Sequence, residues 1–207
     1  MPENYIGIMC GTSLDSLDLS LCDFEKNKKI KYFKSYRIRQ SLRDKINECK
    51  NHPNRKKLFS ETDALTTEFI INSVRKFITA SKTKKIAAIG YPGITIVHNP
   101  KKKISKTLGN PAIIAKESGL RVVADFRLTD MKHGGQGAPL APYFHDYISS
   151  KQRDFLNFIN LGGFANLTYL SNNKLMAFDT GPANYLIDEV SKKYFNKNYD
   201  KNGLLAK

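Results

Sequence analysis

The chain lacks several features that would place it at once in a common class. Its 207 residues include no tryptophan and only 3 cysteines, Cys10, Cys22 and Cys49, which form no CxxC pair. Such a set predicts neither a disulfide framework nor a cysteine zinc site, and reduced thiols in a cytoplasmic protein explain it best. No apolar run approaches the roughly 20 residues of a membrane span. The N-terminus lacks the basic region of a secretory signal, so we expect a cytoplasmic location.

Acidic residues are scarce relative to basic ones. The chain carries 34 Lys and Arg against 19 Asp and Glu, a formal net charge of +15. This excess makes nucleic-acid binding an alternative. However, the basic residues are mostly lysines in short runs such as 101–103, without the interleaved aromatic side chains on which bases stack. A solvated basic surface is the favoured interpretation, and nucleic-acid binding stays a minor alternative.

The order of strand-like and helix-like segments predicts an α/β fold. Three antiparallel strands are predicted at 5–9, 17–24 and 31–39, with a turn at 25–29. A helical apolar period then predicts a helix over 60–81, entered through a capping box of Ser60 and Asp63. Its inward stripe would comprise Leu65, Phe69, Val74, Phe77 and Ile78.

Shorter elements are predicted along the rest of the chain. We expect strands at 86–89, 94–98, 121–124 (buried), 155–160, 166–170 and 175–178, and helices at 112–118, after Pro139 and after Pro182. The last two helices would turn these apolar residues inward: Leu140, Phe144, Tyr147 and Ile148 in the first, and Leu186, Ile187, Val190 and Tyr194 in the second. The glycine-rich stretch 132–137 predicts a hinge or site loop. We therefore expect one domain at 1–130 and a second at 131–207.

Four polar, glycine-bearing clusters follow predicted strands, which is where α/β folds place ligands. They lie at 11–18, 125–137, 160–166 and 179–184. The first offers a glycine, hydroxyls and carboxylates that together can hold the terminal phosphates of a nucleotide and a metal. The third has paired glycines that allow close approach of the backbone to a ligand. The fourth places Asp179 near a helix N-terminus suited to an anion, or to a metal held beside one. Each cluster alone is equally compatible with an ordinary turn.

The clusters occur within longer blocks that resemble a known family. GTSLDSLD, ADFRLTDMKHGGQGAPLAPYFH, FINLGGFANLTYL, FDTGPANYLID and YDKNGLLAK follow one another in this order. Together they closely resemble anhydro-N-acetylmuramic acid kinases of the sugar kinase/actin-like ATPase superfamily. The resemblance implies a ribonuclease H-like, two-lobe, actin-like ATPase fold. Because family members are substantially longer, it also implies that the second lobe is incomplete and lacks the adenosine-binding segment.

The resemblance implies a kinase of peptidoglycan recycling that uses ATP and Mg²⁺. Members of the family open the 1,6-anhydro ring of anhydro-N-acetylmuramic acid with water and phosphorylate O6, giving N-acetylmuramic acid 6-phosphate. Family members resemble homodimers, and neither a membrane nor a nucleic-acid partner is expected.

The resemblance also implies roles for individual residues. Asp130 corresponds to the carboxylate that activates the attacking water. Sugar-binding positions correspond to Thr95, His98, Arg127, Gly135 and Gln136. ATP would be bound by Gly11, Thr12, Ser13, Leu14, Asp15, Ser16, Leu17, Asp18, Asn160, Gly162, Gly163, Asp179 and Gly181. Asp15 and Asp179 would hold Mg²⁺ directly or through water.

Some positions depart from the family pattern. Pro92 and Ile94 stand where the family has a histidine and a glutamine, Thr107 stands where it has a second glutamine, and Ser16 replaces a glycine. The first three would cost polar contacts to a sugar. A non-catalytic remnant, or one product of a split gene, is therefore a second hypothesis. Because the incomplete second lobe would leave apolar surface exposed, we further expect marginal stability or aggregation.

Overall fold

The computed structural model describes residues 4–24, 29–149, 155–171 and 174–207. The chain separates into an N-terminal unit, Met1–Ala138, and a C-terminal unit, Pro139–Lys207. The glycine-rich stretch 132–137 belongs to the N-terminal unit. Within the described residues, no helix is long and apolar enough to cross a membrane.

A mixed five-stranded sheet forms the centre of the N-terminal unit. Strands β1 (Asn4–Cys10), β2 (Ser16–Asp23) and β3 (Lys29–Arg37) form an antiparallel meander, as predicted. Strands β4 (Ile86–Gly90) and β7 (Val122–Val123) continue the sheet in parallel, giving the order β3-β2-β1-β4-β7. The turn predicted at 25–29 lies outside the described residues except for Lys29. The predicted α/β class is confirmed.

Alternation along the strands buries one face of this sheet. Ile6 and Ile8 of β1 and the leucines of β2 pack beneath helix α2 (Lys56–Ser81), which contributes Ile70, Val74 and Phe77 to the same core. The predicted helical period is thus confirmed, but the capping box is wrong. The helix begins at Lys56, so Ser60 and Asp63 lie inside it. Leu65 is also 41% exposed rather than inward, and lines a cavity.

Three further elements of the N-terminal unit were not predicted. They are α1 (Gln40–Asn51), β6 (Ile104–Leu108) and α4 (Phe126–Lys132). Strand β6 pairs with β5 (Ile94–Asn99) in a separate hairpin, and this hairpin packs with α1 around a second apolar core. Helix α3 (Pro111–Ser118) matches its prediction. The strand predicted as buried at 121–124 is shorter, and Val123 in it is 46% exposed.

The C-terminal unit contains a three-stranded antiparallel sheet and two helices. Its sheet order is β10-β9-β8, with β8 at Phe155–Leu161, β9 at Phe164–Ser171 and β10 at Lys174–Pro182. Helices α5 (Ala141–Ser149) and α6 (Asn184–Phe195) flank it, and a 3-10 turn follows at Lys201–Gly203. These strands and helices confirm the predictions.

The apolar faces of α5 and α6 do not point inward as predicted. Phe144, Tyr147 and Ile148 of α5 are 39–49% exposed, and Leu186, Ile187, Val190 and Tyr194 of α6 are 50–68% exposed. The physical reason is that the described residues supply no layer that packs against these faces. Both helices therefore have the amphipathic pattern of core helices without a core on that side.

Candidate functional site

The turn between β1 and β2 is anchored by one side chain. Leu14 has a left-handed backbone with φ of 58°, and its N–H donates to the Gly11 carbonyl oxygen at 3.1 Å. Its side chain is only 1% exposed and packs in the second core with Ile46 and Leu108. This anchor leaves Gly11, Thr12, Ser13 and Asp15 exposed to solvent. Leu14 and the buried Leu17 can therefore offer a ligand only their backbone groups.

Helix α1 contacts the same turn through the side chain of Arg43. Arg43 forms an ion pair with Asp15 at 3.0 Å and donates to the Ser13 carbonyl oxygen at 3.3 Å. The Ile38 N–H donates to the Asp15 carbonyl oxygen at 3.1 Å. Within the turn, the Ser16 hydroxyl donates to Asp18 Oδ1 at 2.8 Å. The backbone of the turn is thus fixed at both ends, while the Asp15 carboxylate remains 68% exposed.

Four predicted residues, His98, Arg127, Asp130 and Gly135, gather at the end of α4 together with Gly137. We call these five residues the Asp130 cluster. Asp130 lies in the last turn of α4, one turn after Arg127. The Gly137 N–H donates to Asp130 Oδ2 at 2.7 Å, and Arg127 Nη1 donates to the Gly137 carbonyl oxygen at 2.8 Å. A Cβ on Gly135 would overlap the Asp130 carboxylate. The loop thus holds this carboxylate through backbone groups, and Oδ1 has no hydrogen-bond partner among the described residues.

Buried polar atoms without partners accompany this cluster. Both ring nitrogens of His98, Nε of Arg127 and Oγ of Ser105 are buried and make no hydrogen bond within the part of the chain described. His98 pairs with Ser105 across the β5–β6 hairpin, and the His98 ring lies against Gly137. Burial lowers the pKa of the Arg127 guanidinium, although arginine stays charged at neutral pH. Since buried polar groups are nearly always hydrogen bonded, these atoms are open to a hydrogen bond from water or from a polar ligand.

The remaining predicted sugar-site positions lie in the same unit. Gln136 is exposed in the glycine-rich loop, and Thr95 pairs with Thr107 across the hairpin. Thr107 packs directly on Gly93. Ile94 is 3% exposed and belongs to the core that also holds Leu14. The departure at position 94 therefore places a hydrocarbon in the core.

The C-terminal unit brings the other predicted nucleotide-binding residues together. Asn160, Gly162 and Gly163 lie at the β8–β9 turn, and β10 runs beside this turn with Asp179 opposite Asn166 and Gly181 opposite Ala165. Asn160 and Asp179 are exposed.

The N-terminus of α6 is already hydrogen bonded to this turn. The N–H groups of Ala183 and Tyr185 donate to the Gly163 carbonyl oxygen at 2.9 and 3.1 Å, and that of Asn184 donates to Gly162 at 3.0 Å. These N–H groups are therefore unavailable to an anion. No group of three or more His, Cys, Asp or Glu placed to hold a metal occurs among the described residues.

Comparison with known proteins decides the lineage. The family model for anhydro-N-acetylmuramic acid kinase matches residues 3–207. The chain belongs to the anhydro-N-acetylmuramic acid kinase family. It is 39% identical to the Sulfurimonas denitrificans anhydro-N-acetylmuramic acid kinase over 100% of this chain and 57% of that protein. It is 35% identical to the Hydrogenovibrio crunogenus enzyme over 98% of this chain and 56% of that protein.

The chain spans a little over half the length of these relatives. Membership in the anhydro-N-acetylmuramic acid kinase family confirms the resemblance found in the sequence. Among solved structures, a ROK family transcriptional regulator matches with a TM-score of 0.40 and 13% identity, over 88% of this chain and 41% of that one. That likeness is too distant to bear on function.

Two residues at the site of this family member were missed by sequence reasoning. Ser105 lies on β6, and the Asn99–Pro100 dipeptide before it is a turn signal that could have revealed the hairpin. Arg43 lies on α1, whose mostly polar sequence gave no signal that this cation would reach Asp15.

Proposed function

We propose that this protein acts in ATP-dependent conversion of 1,6-anhydro-N-acetylmuramic acid and water to N-acetylmuramic acid 6-phosphate. The observation that carries the proposal is the Asp130 carboxylate, held by the Gly137 N–H over a glycine and accompanied by buried, unpartnered atoms of His98 and Arg127. The family membership supports the same reaction.

In this reaction Asp130 acts as the general base. Its unpartnered Oδ1 accepts a proton from water as the water oxygen bonds to C1 of the sugar. The bond from C1 to O6 breaks, and O6 takes the γ-phosphoryl group of ATP while ADP leaves. Arg127 would donate a hydrogen bond to a sugar oxygen, and His98 would donate from one ring nitrogen and accept from a sugar hydroxyl at the other. Positioning of this kind removes much of the entropic barrier.

The exposed residues of the β1–β2 turn and of the β8–β9 turn would hold the phosphates of ATP. Mg²⁺ usually binds to one or two carboxylates together with substrate phosphates, so a dedicated cage is unnecessary. Asp15 and Asp179, both exposed, fit that requirement. When bound there, Mg²⁺ supplies neutralisation of the phosphate charge.

The test is release of ADP in the presence of anhydro-N-acetylmuramic acid. The chain is assayed alone and with the C-terminal portion of the Sulfurimonas denitrificans relative that this chain does not cover. We expect turnover in the combined sample, and Asp130→Asn should lower it by about two to four orders of magnitude while ATP binding persists. Asp146→Asn, which changes an exposed carboxylate outside the Asp130 cluster, is the control.

Absence of turnover in both samples would favour the second hypothesis, a non-catalytic remnant. One observation supports that alternative. Ile94 lies in the apolar core at a position where the family has glutamine, so a polar contact to the sugar is lost. A lost contact of this kind costs about 1–3 kcal/mol when its partner stays unpaired.

Assembly and location follow from the same proposal. We expect a homodimer, as in the family, and a cytoplasmic location, which the three free cysteines support. Light scattering on the purified chain and cell fractionation test these two expectations. A monomer, or recovery in a secreted fraction, would contradict them.

A further inference from the structure

A cavity on the N-terminal unit has no role in the proposed reaction. It lies between the end of β3, the first half of α1 and the middle of α2, and its volume is about 670 Å³. Cavities that bind small organic molecules measure roughly 300–1,000 Å³. None of the residues that line it belongs to the β1–β2 turn or to the Asp130 cluster.

Positive charge dominates the lining. Arg37, Arg39, Lys45 and Lys76 line the cavity, with Glu68 as the one carboxylate. None of these four cations forms an ion pair within the described ranges. Because like charges held together repel, an anion entering the cavity gains from all of them.

The N-terminus of α1 adds to this preference. Arg39 occupies the N-cap position without a side-chain hydrogen bond to the helix, and the first turn of α1 contains no acidic residue. The positive end of the helix dipole therefore faces the same cations without a neutralising carboxylate.

Apolar side chains also line the cavity. Leu65 and Phe69 line the cavity together with Leu42 of α1. Leu65 is the member of the predicted inward stripe that is 41% exposed, so its side chain lies where a ligand could cover it. Tyr36 adds a hydroxyl, and burial raises the pKa of this phenol, which keeps it protonated as a donor. The cavity thus offers apolar contact and cationic groups side by side.

We propose that this cavity binds a small organic anion with an apolar body, such as a phosphate monoester of an aromatic or acyl group. The anionic group contacts Arg39, Lys45 and Lys76, and the apolar body packs on Leu65 and Phe69. Helix α1 carries Leu42 and Lys45 toward the cavity and Arg43 toward Asp15. The site is therefore separate from the nucleotide and joined to its turn by one helix.

Isothermal titration of the whole chain with 2-naphthyl phosphate tests the proposal. We expect saturable binding to a single site. Inorganic phosphate lacks the apolar body and 2-naphthol lacks the anionic group, so each should bind at least about tenfold more weakly. Equal binding of inorganic phosphate, or loss of 2-naphthyl phosphate binding in saturating ATP, would overturn the proposal by assigning the ligand to the phosphate-binding turns.

Two variants separate the cavity from general charge attraction. Lys45→Gln with Lys76→Gln, and separately the half-exposed Leu65→Gln, should each weaken binding by about tenfold or more. Lys56→Gln with Lys57→Gln removes the same charge at exposed positions outside the cavity and should leave affinity unchanged. Unchanged affinity in both cavity variants, or an equal loss in the control, would overturn the proposal.

Discussion

At the scale of single residues, the contact that fixes the position of the Asp130 carboxylate is its close approach to Gly135. Gly135 does not have a positive φ, so backbone conformation is not the reason for glycine here. The reason is space, because the Asp130 carboxylate occupies the volume that a Cβ would need. Family motifs identify both residues in the sequence, but only the fold shows that one limits the position of the other.

Gly135→Ala is therefore expected to displace the Asp130 carboxylate, which we propose as the general base. A displacement of about 1 Å can lower turnover by about 100-fold, and the effect should appear in kcat with the fold retained. Gly90→Ala serves as the control, since a Cβ there makes only ordinary contacts, at 3.9 Å. Turnover of Gly135→Ala equal to that of Gly90→Ala would contradict the role of this close contact.

Cys10 gives a second prediction at this scale. Burial raises the pKa of its thiol to about 11, against an opposing effect of Lys50. Thiolate is the reactive form, so alkylation by iodoacetamide should be slow near neutral pH and should accelerate as the pH approaches that value. Peptide mass spectrometry measures the rate, with the urea-unfolded chain as control. Fast modification of Cys10 at neutral pH in the folded chain would show the prediction to be wrong.

At the scale of elements, the sequence predicts what is periodic. The β1–β3 meander alternates apolar and polar residues, and α2 repeats its apolar stripe over several turns, so both were found. Helix α1 buries only Ile46 and Cys49, and α4 is 7 residues long, too few for a period to emerge. The same limit applies to the candidate site. Its motif residues could be predicted from the sequence, but Arg43 and Ser105 could not, because they lie on elements that tertiary packing stabilises.

Tyr91, the residue after β4, connects that strand to the end of β6. Its hydroxyl donates to the Leu108 carbonyl oxygen at 2.6 Å, and the residue is 2% exposed. Tyr91→Phe should lower the free energy of unfolding by about 1–2 kcal/mol, since a buried acceptor loses its donor. Tyr32→Phe, which packs in the first core without such a bond, should change it by less. Urea denaturation measures both, and equal losses would count against the hydrogen bond.

His145 connects α5 to the C-terminal sheet. It stacks on Phe158 at 4.4 Å between ring centroids, and its Nδ1 lies 3.0 Å from Thr168 Oγ1. Burial lowers the pKa of this imidazole, so below its ordinary value of about 6.5 the unfolded chain binds the proton first. The contribution to stability is present above that pH and falls as the pH decreases toward the folded value.

Thermal unfolding of the wild-type chain and of His145→Gln checks this sign. Between about pH 7.5 and pH 5.5, the wild-type Tm should fall more than the Tm of the variant. Parallel pH profiles for the two proteins would remove His145 from this role.

At the scale of the whole molecule, the two units differ in how much apolar surface they bury. The N-terminal unit has two cores. Within the described part of the C-terminal unit, the buried aliphatic and aromatic side chains are those of Pro142, Ala165 and Leu170. Burial of apolar surface contributes about 25 cal/mol of stabilising free energy per Å². The C-terminal unit therefore gains far less free energy to offset the loss of conformational entropy on folding.

Limited proteolysis should therefore begin in the C-terminal unit. Local opening is most frequent where buried contacts are fewest. Intact-mass spectra over a chymotrypsin time course should show early loss within 139–207 and persistence of a fragment close to Met1–Ala138. Adding the uncovered C-terminal portion of the Sulfurimonas denitrificans relative should slow this loss. First cleavage inside the five-stranded sheet would contradict the assignment of stability.

The ion pair between Arg43 and Asp15 has an electrostatic consequence. Its carboxylate already has a counter-ion that belongs to the protein, at 3.0 Å. In the proposed binding mode, a divalent cation that arrives with a nucleotide would share the Asp15 carboxylate with Arg43 or displace the guanidinium from it. Displacement would exchange one positive partner of Asp15 for another and would leave the Arg43 guanidinium available to the phosphates.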